Sequence, residues 1–350
     1  MKISDLGEFG LIKKIKEQSK DRSPATLIGI GDDAAALSLS PSKKLLATTD
    51  MLLEGVHFDL SYTDLYSLGW KSAAVNLSDI AAMGGIPRFC LTALGIPSSI
   101  TVEQIKEFYK GFNAICRKYH VDLVGGDTCR SEKGLVVSVT ALGEVEKKRM
   151  LTRAGARPGD LIFVTGTLGD SAAGMELLKA GYRGQGTGIR GKGYKSAIRN
   201  PKSEIARLIK KHLQPMPRVE FGRKIALSGC ATSMIDISDG LSSELGHICE
   251  ESRVGADINA EQIPFSKDIL KSADHLKTAP LHYALSGGED YELLFTVSPS
   301  KLKRFLSLKI ASTQIGAIIA GSQMFLSDNG KRAVLKPKGF NHFIGQGTDR

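Results

Sequence analysis

The sequence predicts an α+β protein of two halves, each mixing buried strands with amphipathic helices. Three observations lead there. The chain has 350 residues, 42% of them hydrophobic, which suits about two domains with cores of their own. Short apolar runs of strand character alternate with longer segments of helical period. Near the middle, RAGARPGDLIFVTG carries a Pro158-Gly159-Asp160 turn followed at once by a new apolar run, which is how a boundary between halves reads. The expected division is 1–150 and 151–350.

Taken in order, residues 26–31 and 44–49 read as strands leading into acidic turns. A helix is expected from Asp64, a good N-cap residue, to a stop at Gly84-Gly85. Leu65, Leu68, Ala73, Leu77, Ile80 and Ala81 fall on one of its faces. A second helix starts at Thr101, which can form a capping box with Gln104. Ile105, Phe108, Phe112, Ile115 and Tyr119 make its apolar stripe. VDLVGGD reads as a strand into a glycine turn, and LVVSVTALGEV as a further strand. In the second half, Leu161–Thr165 opens a strand, and TSMIDI and YELLFTV continue the pattern. Helices are expected at 170–180, 203–213 and 239–252. The stretch 183–200 is rich in Gly, Lys and Arg, lacks periodicity and reads as a mobile loop.

Composition narrows the partners. The formal charge is +10, but it is local: residues 183–224 hold twelve Lys/Arg and two Glu, and the remainder is balanced at 35 of each sign. That stretch lacks the aromatic interleaving of a single-strand binder, so it reads as a solvated basic loop and helix and nucleic acid is not an expected partner. The N-terminus MKISDLGEFG has no apolar core of a secretory signal. No apolar run approaches the roughly 18 residues of a membrane span. Cys90, Cys116, Cys129, Cys230 and Cys249 are scattered without a C-x-x-C pair, which suits reduced thiols in a cytoplasm and disfavours zinc or a disulfide framework.

Two glycine motifs invite a nucleotide reading and fail on inspection. GTGIRGKG, 186–193, ends in Gly where a phosphate-binding loop needs a magnesium-binding hydroxyl, and no apolar strand precedes it. GIGDDA, 29–34, has the outline of a dinucleotide-binding turn but places Asp32 and Asp33 where a pyrophosphate needs bare N–H groups. A carboxylate 4 Å from a phosphate charge repels it by about 4 kcal/mol at an effective dielectric of 20, unless a cation intervenes. The clue recurs: Thr48, Thr49 and Asp50 in LATTDML, Asp127 in LVGGDT, Asp236 and Asp239 in MIDISDGL, and Asp79 inside an otherwise apolar helix. Such oxygen donors suit Mg²⁺ alongside phosphates. Each also has a plain structural alternative. Asp33 and Asp239 suit helix N-caps, Asp127 suits a Gly-Gly turn, and Asp79 suits a partnership with Asn76 or Ser78.

GEFGLIKKI, GIGDDAAAL, TTDMLLEGVHF, AVNLSDIAAMGG, LVGGDT, GARPGDLIFVTGTLGDSAAG, IDISDGLSSELGHI and LSGGEDYELLFTV occur in this order. With them the chain resembles the thiamine-monophosphate kinases, in the ATP-binding superfamily of aminoimidazole ribonucleotide synthetase. The resemblance runs from about residue 5 to residue 343. It implies two α/β domains of that superfamily's fold. The N-terminal domain would carry most of the ATP site and form a homodimer, and the C-terminal domain would complete the site. It also implies phosphoryl transfer from ATP to thiamine monophosphate. Asp33, Thr48, Thr49, Asp50, Asp79, Asp127, Asp236 and Asp239 match magnesium ligands, with Asp33, Asp50, Asp127 and Asp239 central to catalysis. Gly126, Asp127, Arg153 and Ser238 match ATP contacts. Tyr109 matches the residue beside the nucleotide, with Phe108 its competitor. His57, Glu289 and Phe340 match the thiamine phosphate pocket. Outside the resemblance, His57 suits a surface loop, Glu289 a turn cap and Phe340 a C-terminal aromatic on the core. The basic insert at 183–200 is longer than the family usually carries.

The chemistry agrees with the absence of an obvious general base. A phosphate monoester has a second pKa of about 6, so the acceptor oxygen is already anionic at neutral pH. The barrier is charge repulsion, and catalysis becomes positioning and electrostatics. Two rival readings stay open on sequence alone. One is another ATP-dependent enzyme of the superfamily. The other is a non-catalytic basic nucleotide- or nucleic-acid-binding protein, which would have no use for eight magnesium-type positions.

Overall fold

The computed structural model describes residues 14–19, 24–28, 36–182 and 203–339. Asp33 with the GIGDDA turn, the basic stretch 183–200 and Phe340 lie outside the described residues. The described chain falls into two compact units. The first runs to Met150 and takes in Leu213–Leu227; the second holds Leu151–Tyr182, 203–212 and the chain from Ser228 onward.

In the first unit a short antiparallel pair, β1 (Thr26–Ile28) and β2 (Ala36–Leu37), precedes β3 (Lys43–Leu53). Helix α1 (Leu65–Ala82), β4 (Ile86–Ile96), α2 (Val102–Tyr119), β5 (Asp122–Arg130) and β6 (Val136–Glu146) follow. The sheet order is β3-β6-β4-β5, antiparallel except for the parallel β4–β5 pair. Both expected caps are present. The Asp64 side chain accepts from Ser67 N at 2.8 Å, and Thr101 and Gln104 exchange both capping-box bonds. The predicted stripes are the core: Leu68, Ala73, Leu77, Ile80 and Ala81 of α1 and Ile105, Phe108, Phe112 and Ile115 of α2 are buried with Val137, Val139 and Ala141 of β6. The helices cross at glycines. A Cβ on Gly69 would sit 1.9 Å from Phe108 O, and one on Gly111 would sit 1.8 Å from Tyr66 O, so this approach excludes any side chain. Helix α3 (Asp170–Lys179) and α4 (Glu204–Leu213) come next in sequence, then α5 (Val219–Ser228), which the first unit recruits. Arg223 of α5 donates to both carboxylate oxygens of Glu146 at 2.8 Å and to Gly84 O at 2.8 Å.

Two sequence expectations are corrected here. The strand expected to end at residue 49 continues to Leu53, because β6 offers it a partner at each position from Glu146 to Val136. The glycine turn expected at Gly125-Gly126-Asp127 is strand: β5 pairs with β4 through these residues to Arg130. Gly126 is needed there for proximity, since a Cβ on it would lie 1.9 Å from Thr92 O. Asp50 and Asp127 therefore lie within strands, not in turns.

The second unit contains β7 (Leu161–Thr165), β8 (Ala231–Asp236), α6 (Leu241–Ser252), β9 (Gly255–Asn259), β10 (Leu293–Val297), β11 (Ser312–Ile319), β12 (Met324–Asp328) and β13 (Lys331–Leu335). Its sheet order is β13-β12-β9-β11-β7-β10-β8, antiparallel except for β12–β9. Ile162, Val164, Ile235, Leu245, Ile248, Ile258 and Leu294 form its core. The N-cap of α6 is Gly240, without a side-chain capping bond, so the alternative that Asp239 serves as N-cap is corrected.

Candidate active site

In the first unit, the alternation along β3 decides which oxygens gather. Thr48 and Asp50 share the face toward α1, where Asp79 lies in the helix's last turn. Thr48 Oγ1 donates to Asp79 Oδ2 at 2.5 Å. The Asn76 amide, one of the two partners considered from sequence, donates instead to Ser72 O at 3.1 Å within the helix. Burial, with the neighbouring Asp79 charge, pushes the Asp50 carboxyl up to about 7. Two carboxylates sharing a partly desolvated pocket raise each other's cost of ionisation. Thr49 points the other way: it donates to Val139 O at 3.1 Å and accepts from Thr140 Oγ1 at 3.2 Å. Asp127 is exposed, next to the exposed Gly126. It pairs in register with Ala93, and through it with Ser138 and Met51, on the face that carries Thr49. The structure thus brings Thr48, Asp50 and Asp79 together and leaves Thr49 and Asp127 on the opposite face.

His57 closes the end of β3, its Nδ1 accepting from Leu53 N at 3.0 Å. Tyr109 is buried, its hydroxyl 3.0 Å from Thr92 Oγ1, and burial raises the phenol to about 12. Phe108 is buried beside it, edge to face. Neither ring is exposed in this conformation.

In the second unit, β8 ends at the buried Asp236 and the chain passes through Ser238 and Asp239 into α6. Glu244, in the first turn of α6, holds this connection. Its Oε1 accepts from Asp239 N at 3.1 Å and from Ser238 Oγ at 3.5 Å. Its Oε2 is buried without a hydrogen-bond partner. Burial, reinforced by Asp239 and Asp236, pushes the Glu244 carboxyl up to about 8. Sequence reasoning passed over Glu244, although it falls on the helix face of Leu241, Leu245 and Ile248, and an acid in an apolar stripe is a signal in itself.

Glu289 sits in a strained connection before β10. Gly288, Glu289 and Tyr291 have φ of 69°, 59° and 51°, and left-handed non-glycine residues each cost about 1–3 kcal/mol. Backbone bonds hold the turn: Glu289 N donates to Ser238 O at 2.7 Å and Tyr291 N to Ile237 O at 2.9 Å. The neighbouring acids turn inward. Asp290 accepts from Gly169 N at 2.7 Å and Ser171 N at 3.3 Å, and burial pushes it up to about 8. Glu292 accepts from Thr165 Oγ1 at 2.6 Å. Glu289 keeps a quarter of its side chain exposed, with Oε2 3.1 Å from His212 Nδ1. Arg153 is exposed, and its carbonyl accepts from Ser252 Oγ at 3.3 Å. Among the described residues, no group of three or more His, Cys, Asp or Glu side chains is arranged to hold a metal.

Comparison with known proteins gives this arrangement a family. Residues 31–145 match the AIR synthase related protein N-terminal domain and residues 157–328 its C-terminal domain. A thiamine-monophosphate kinase of Buchnera aphidicola is 40% identical, over 97% of this chain and 100% of that protein. The crystal structure of thiamine-monophosphate kinase from Stenotrophomonas maltophilia K279a superposes with a TM-score of 0.76 at 36% identity, over 94% of this chain and 98% of that one. AaThiL, complexed with AMPPCP and TMP, superposes with a TM-score of 0.73 at 37% identity, over 98% and 99% of the two chains. With both domain models matched in order and a curated relative aligned along its entire length, the chain belongs to the thiamine-monophosphate kinase family of AIR synthase related proteins.

Proposed function

We propose that this protein transfers the γ-phosphoryl group of ATP to thiamine monophosphate, giving thiamine diphosphate and ADP. The observation that carries the reading is the whole-length likeness to thiamine-monophosphate kinases, at 36–40% identity among the curated relatives. The complex of AaThiL with AMPPCP and TMP supports it, because AMPPCP mimics ATP with a methylene in place of the β–γ bridging oxygen.

The oxygen donors fit magnesium. Asp50 and Asp79 crowd together with Thr48, and Asp50 is pushed up to about 7 by burial and its neighbour, a strain that a divalent cation relieves. In the second unit, Asp236 and Asp239 lie near enough to Glu244 to raise its carboxyl, and its Oε2 has no hydrogen-bond partner. The lack of a group of three protein ligands among the described residues suits an ion that uses one or two carboxylates and takes the rest of its shell from phosphates and water. We assign Thr48, Asp50, Asp79, Asp127, Asp236 and Asp239, with Thr49, to several magnesium ions. Asp33 joins them on the resemblance alone. Bound magnesium would screen the phosphates and align donor with acceptor.

The chain's own groups do the rest. The exposed Gly126 offers backbone to a phosphate, and Ser238 and the Arg153 guanidinium offer donors to ATP. Tyr109 supports this region from beneath, through Thr92 at 3.0 Å. Glu289 is assigned to the cationic heteroaromatic part of thiamine monophosphate, and His57 and Phe340 to the same substrate on the resemblance alone. No residue need abstract a proton from the anionic acceptor, so transfer is direct and in line. The domain roles follow the two units, the first joining 1–150 with Leu213–Leu227, and the protein works as a homodimer in the cytoplasm. Five unpaired cysteines support that compartment, and no described helix is long and apolar enough to cross a membrane.

The test is to incubate folded protein with Mg²⁺, ATP and thiamine monophosphate and to measure thiamine diphosphate chromatographically. Stoichiometric formation of ADP and thiamine diphosphate is expected; no product from folded protein overturns the reading. With a chiral γ-phosphorus the transfer inverts configuration, and net retention would instead require a phosphoenzyme.

A further inference from the structure

The last described residues run along α6 toward the Asp239 turn. Strand β13 ends at Leu335, and the chain then passes over α6 one residue after another. Pro337 lies over Gly246, where a Cβ would sit 3.0 Å from the proline Cγ. Lys338 lies over Ser242, four residues and so about one turn nearer the start of the helix. Gly339 reaches that start: a Cβ on it would sit 2.9 Å from Ser243 Cβ and 3.0 Å from Asp239 Cβ. The segment 336–339 is therefore a strap that travels against the direction of α6 and delivers the chain to Asp239. Phe340 follows directly in the sequence, and consecutive Cα atoms lie about 3.8 Å apart.

One side chain that the phosphoryl transfer does not use fixes this course. Ser242 is 1% exposed. Its Oγ accepts from Lys338 N at 3.1 Å and donates to Lys338 O and Leu285 O, each at 2.8 Å. A hydroxyl has one proton and two acceptor lone pairs. The single proton serves the two carbonyls, while the oxygen holds the Lys338 amide. Both backbone polar groups of Lys338 thus end on one buried hydroxyl, beyond the point where β13 supplies ladder bonds. Gly339 completes the seat, because a side chain there would press on Ser243 and Asp239 and lift the strap.

We propose that Ser242 is a positioning residue for the acceptor: it docks the strap on α6 and fixes where the chain enters Phe340, which sets affinity for a cationic heteroaromatic phosphate monoester and leaves ATP binding alone. This rests on the reading of Phe340 as a thiamine-side residue. Binding, measured apart from turnover, keeps the two claims distinguishable.

The experiment uses full-length protein and calorimetric titration with thiamine monophosphate and, separately, AMPPCP with Mg²⁺. Ser242→Ala removes the hydroxyl. Gly339→Ala loosens the same seat from the strap's side and leaves α6 intact. Thermal melts check that both variants fold. Ser242→Ala is expected to weaken thiamine monophosphate binding about tenfold, the scale of the lost hydrogen bonds, with AMPPCP unchanged. Gly339→Ala should weaken the same ligand. In a Phe340→Ala background, itself weakened for thiamine monophosphate, Ser242→Ala should add nothing, as groups acting through one contact do. An effect carried instead through Leu285 would persist in that background and overturns the inference. Equal weakening for both ligands, or a Ser242→Ala protein that binds thiamine monophosphate as wild type does, also overturns it. Phe340→Ala that binds thiamine monophosphate as wild type does overturns the inference at its premise and leaves the kinase reading standing. Wild type that binds thiamine monophosphate but forms no thiamine diphosphate overturns the kinase reading alone; wild type that binds none overturns both.

Discussion

At the scale of single residues, Asp50, which we assign to magnesium, shows how a buried acid costs the fold stability. Its carboxyl is raised to about 7 by burial and by Asp79. The folded chain therefore holds a proton that the unfolded chain has released, in the window from about pH 4 to pH 7. Stability from this group falls as pH rises through that window. Asp50→Asn removes the penalty without changing shape. Without metal at pH 8 the variant should be more stable by about 1–2 kcal/mol, allowing for partial exposure. It should also lose at least about a hundredfold in turnover, as active-site electrostatic groups do. Mg²⁺ with nucleotide should raise the wild-type melting temperature more than the variant's. A variant that melts no higher than wild type and stays active would remove Asp50 from the site. The sequence shows Asp50 as an acid near a strand, yet not its environment. Only the pairing of β3 with β6 to Leu53 turns Asp50 and Thr48 toward Asp79 and Thr49 away.

At the scale of elements, the helices were legible because their signals are local. Asp64, Thr101 and Gln104 cap as their types and spacing require. The extents of β3 and β5 were not, because a strand's end depends on a partner far along the chain, and Gly125-Gly126 reads as a turn until β4 lies beside it. The crossing of α1 over α2 is also a property of the pair. Gly69→Ala raises helix propensity by about 1 kcal/mol, but its Cβ would lie 1.9 Å from a carbonyl oxygen of α2, and backbone cannot step aside. A net loss of about 2 kcal/mol or more is expected, read as a lower urea midpoint at unchanged slope; a neutral result would mean that the helices separate freely. Helix α5 supplies a second test. Arg223 grips Glu146 with two bonds of 2.8 Å and holds its carboxyl down to about 2. A depressed carboxyl stabilises above its unfolded value and loses that contribution as pH falls toward 2. Glu146 is 36% exposed, so Arg223→Ala should cost only about 1 kcal/mol near pH 6. The gap to wild type in thermal melts should narrow between pH 5 and pH 2. A gap independent of pH would assign the loss to the Gly84 bond alone.

At the scale of the whole molecule, two halves were legible in the sequence, but the return of Leu213–Leu227 to the first unit was not. An amphipathic helix announces that it has an apolar face, not which core receives it, and the Glu146 partner of Arg223 lies 77 positions earlier. The four-stranded sheet of that unit also has a face that α1 and α2 do not cover. Its outward positions ought to be polar if they met water throughout. Instead Leu45 is 49% exposed and Met51 55% exposed, flanked on the same face by Ala47 and Ala93, both exposed. Thr49, Ser138 and Asp127 share this face, and an exposed apolar patch beside them marks an interaction surface; a second copy of the chain offers the same face in a self-complementary, two-fold arrangement. Light scattering of the purified protein should therefore give twice the chain mass at micromolar concentration. Met51→Lys places a charge within the apolar patch on the edge strand β3 and should shift the mass to a single chain. Leu227→Lys, at a 47% exposed apolar position on α5, should leave it unchanged, which separates loss of this face from a general effect of added charge. If wild type is monomeric, or if Leu227→Lys dissociates the dimer while Met51→Lys does not, the open sheet face is not where the copies meet.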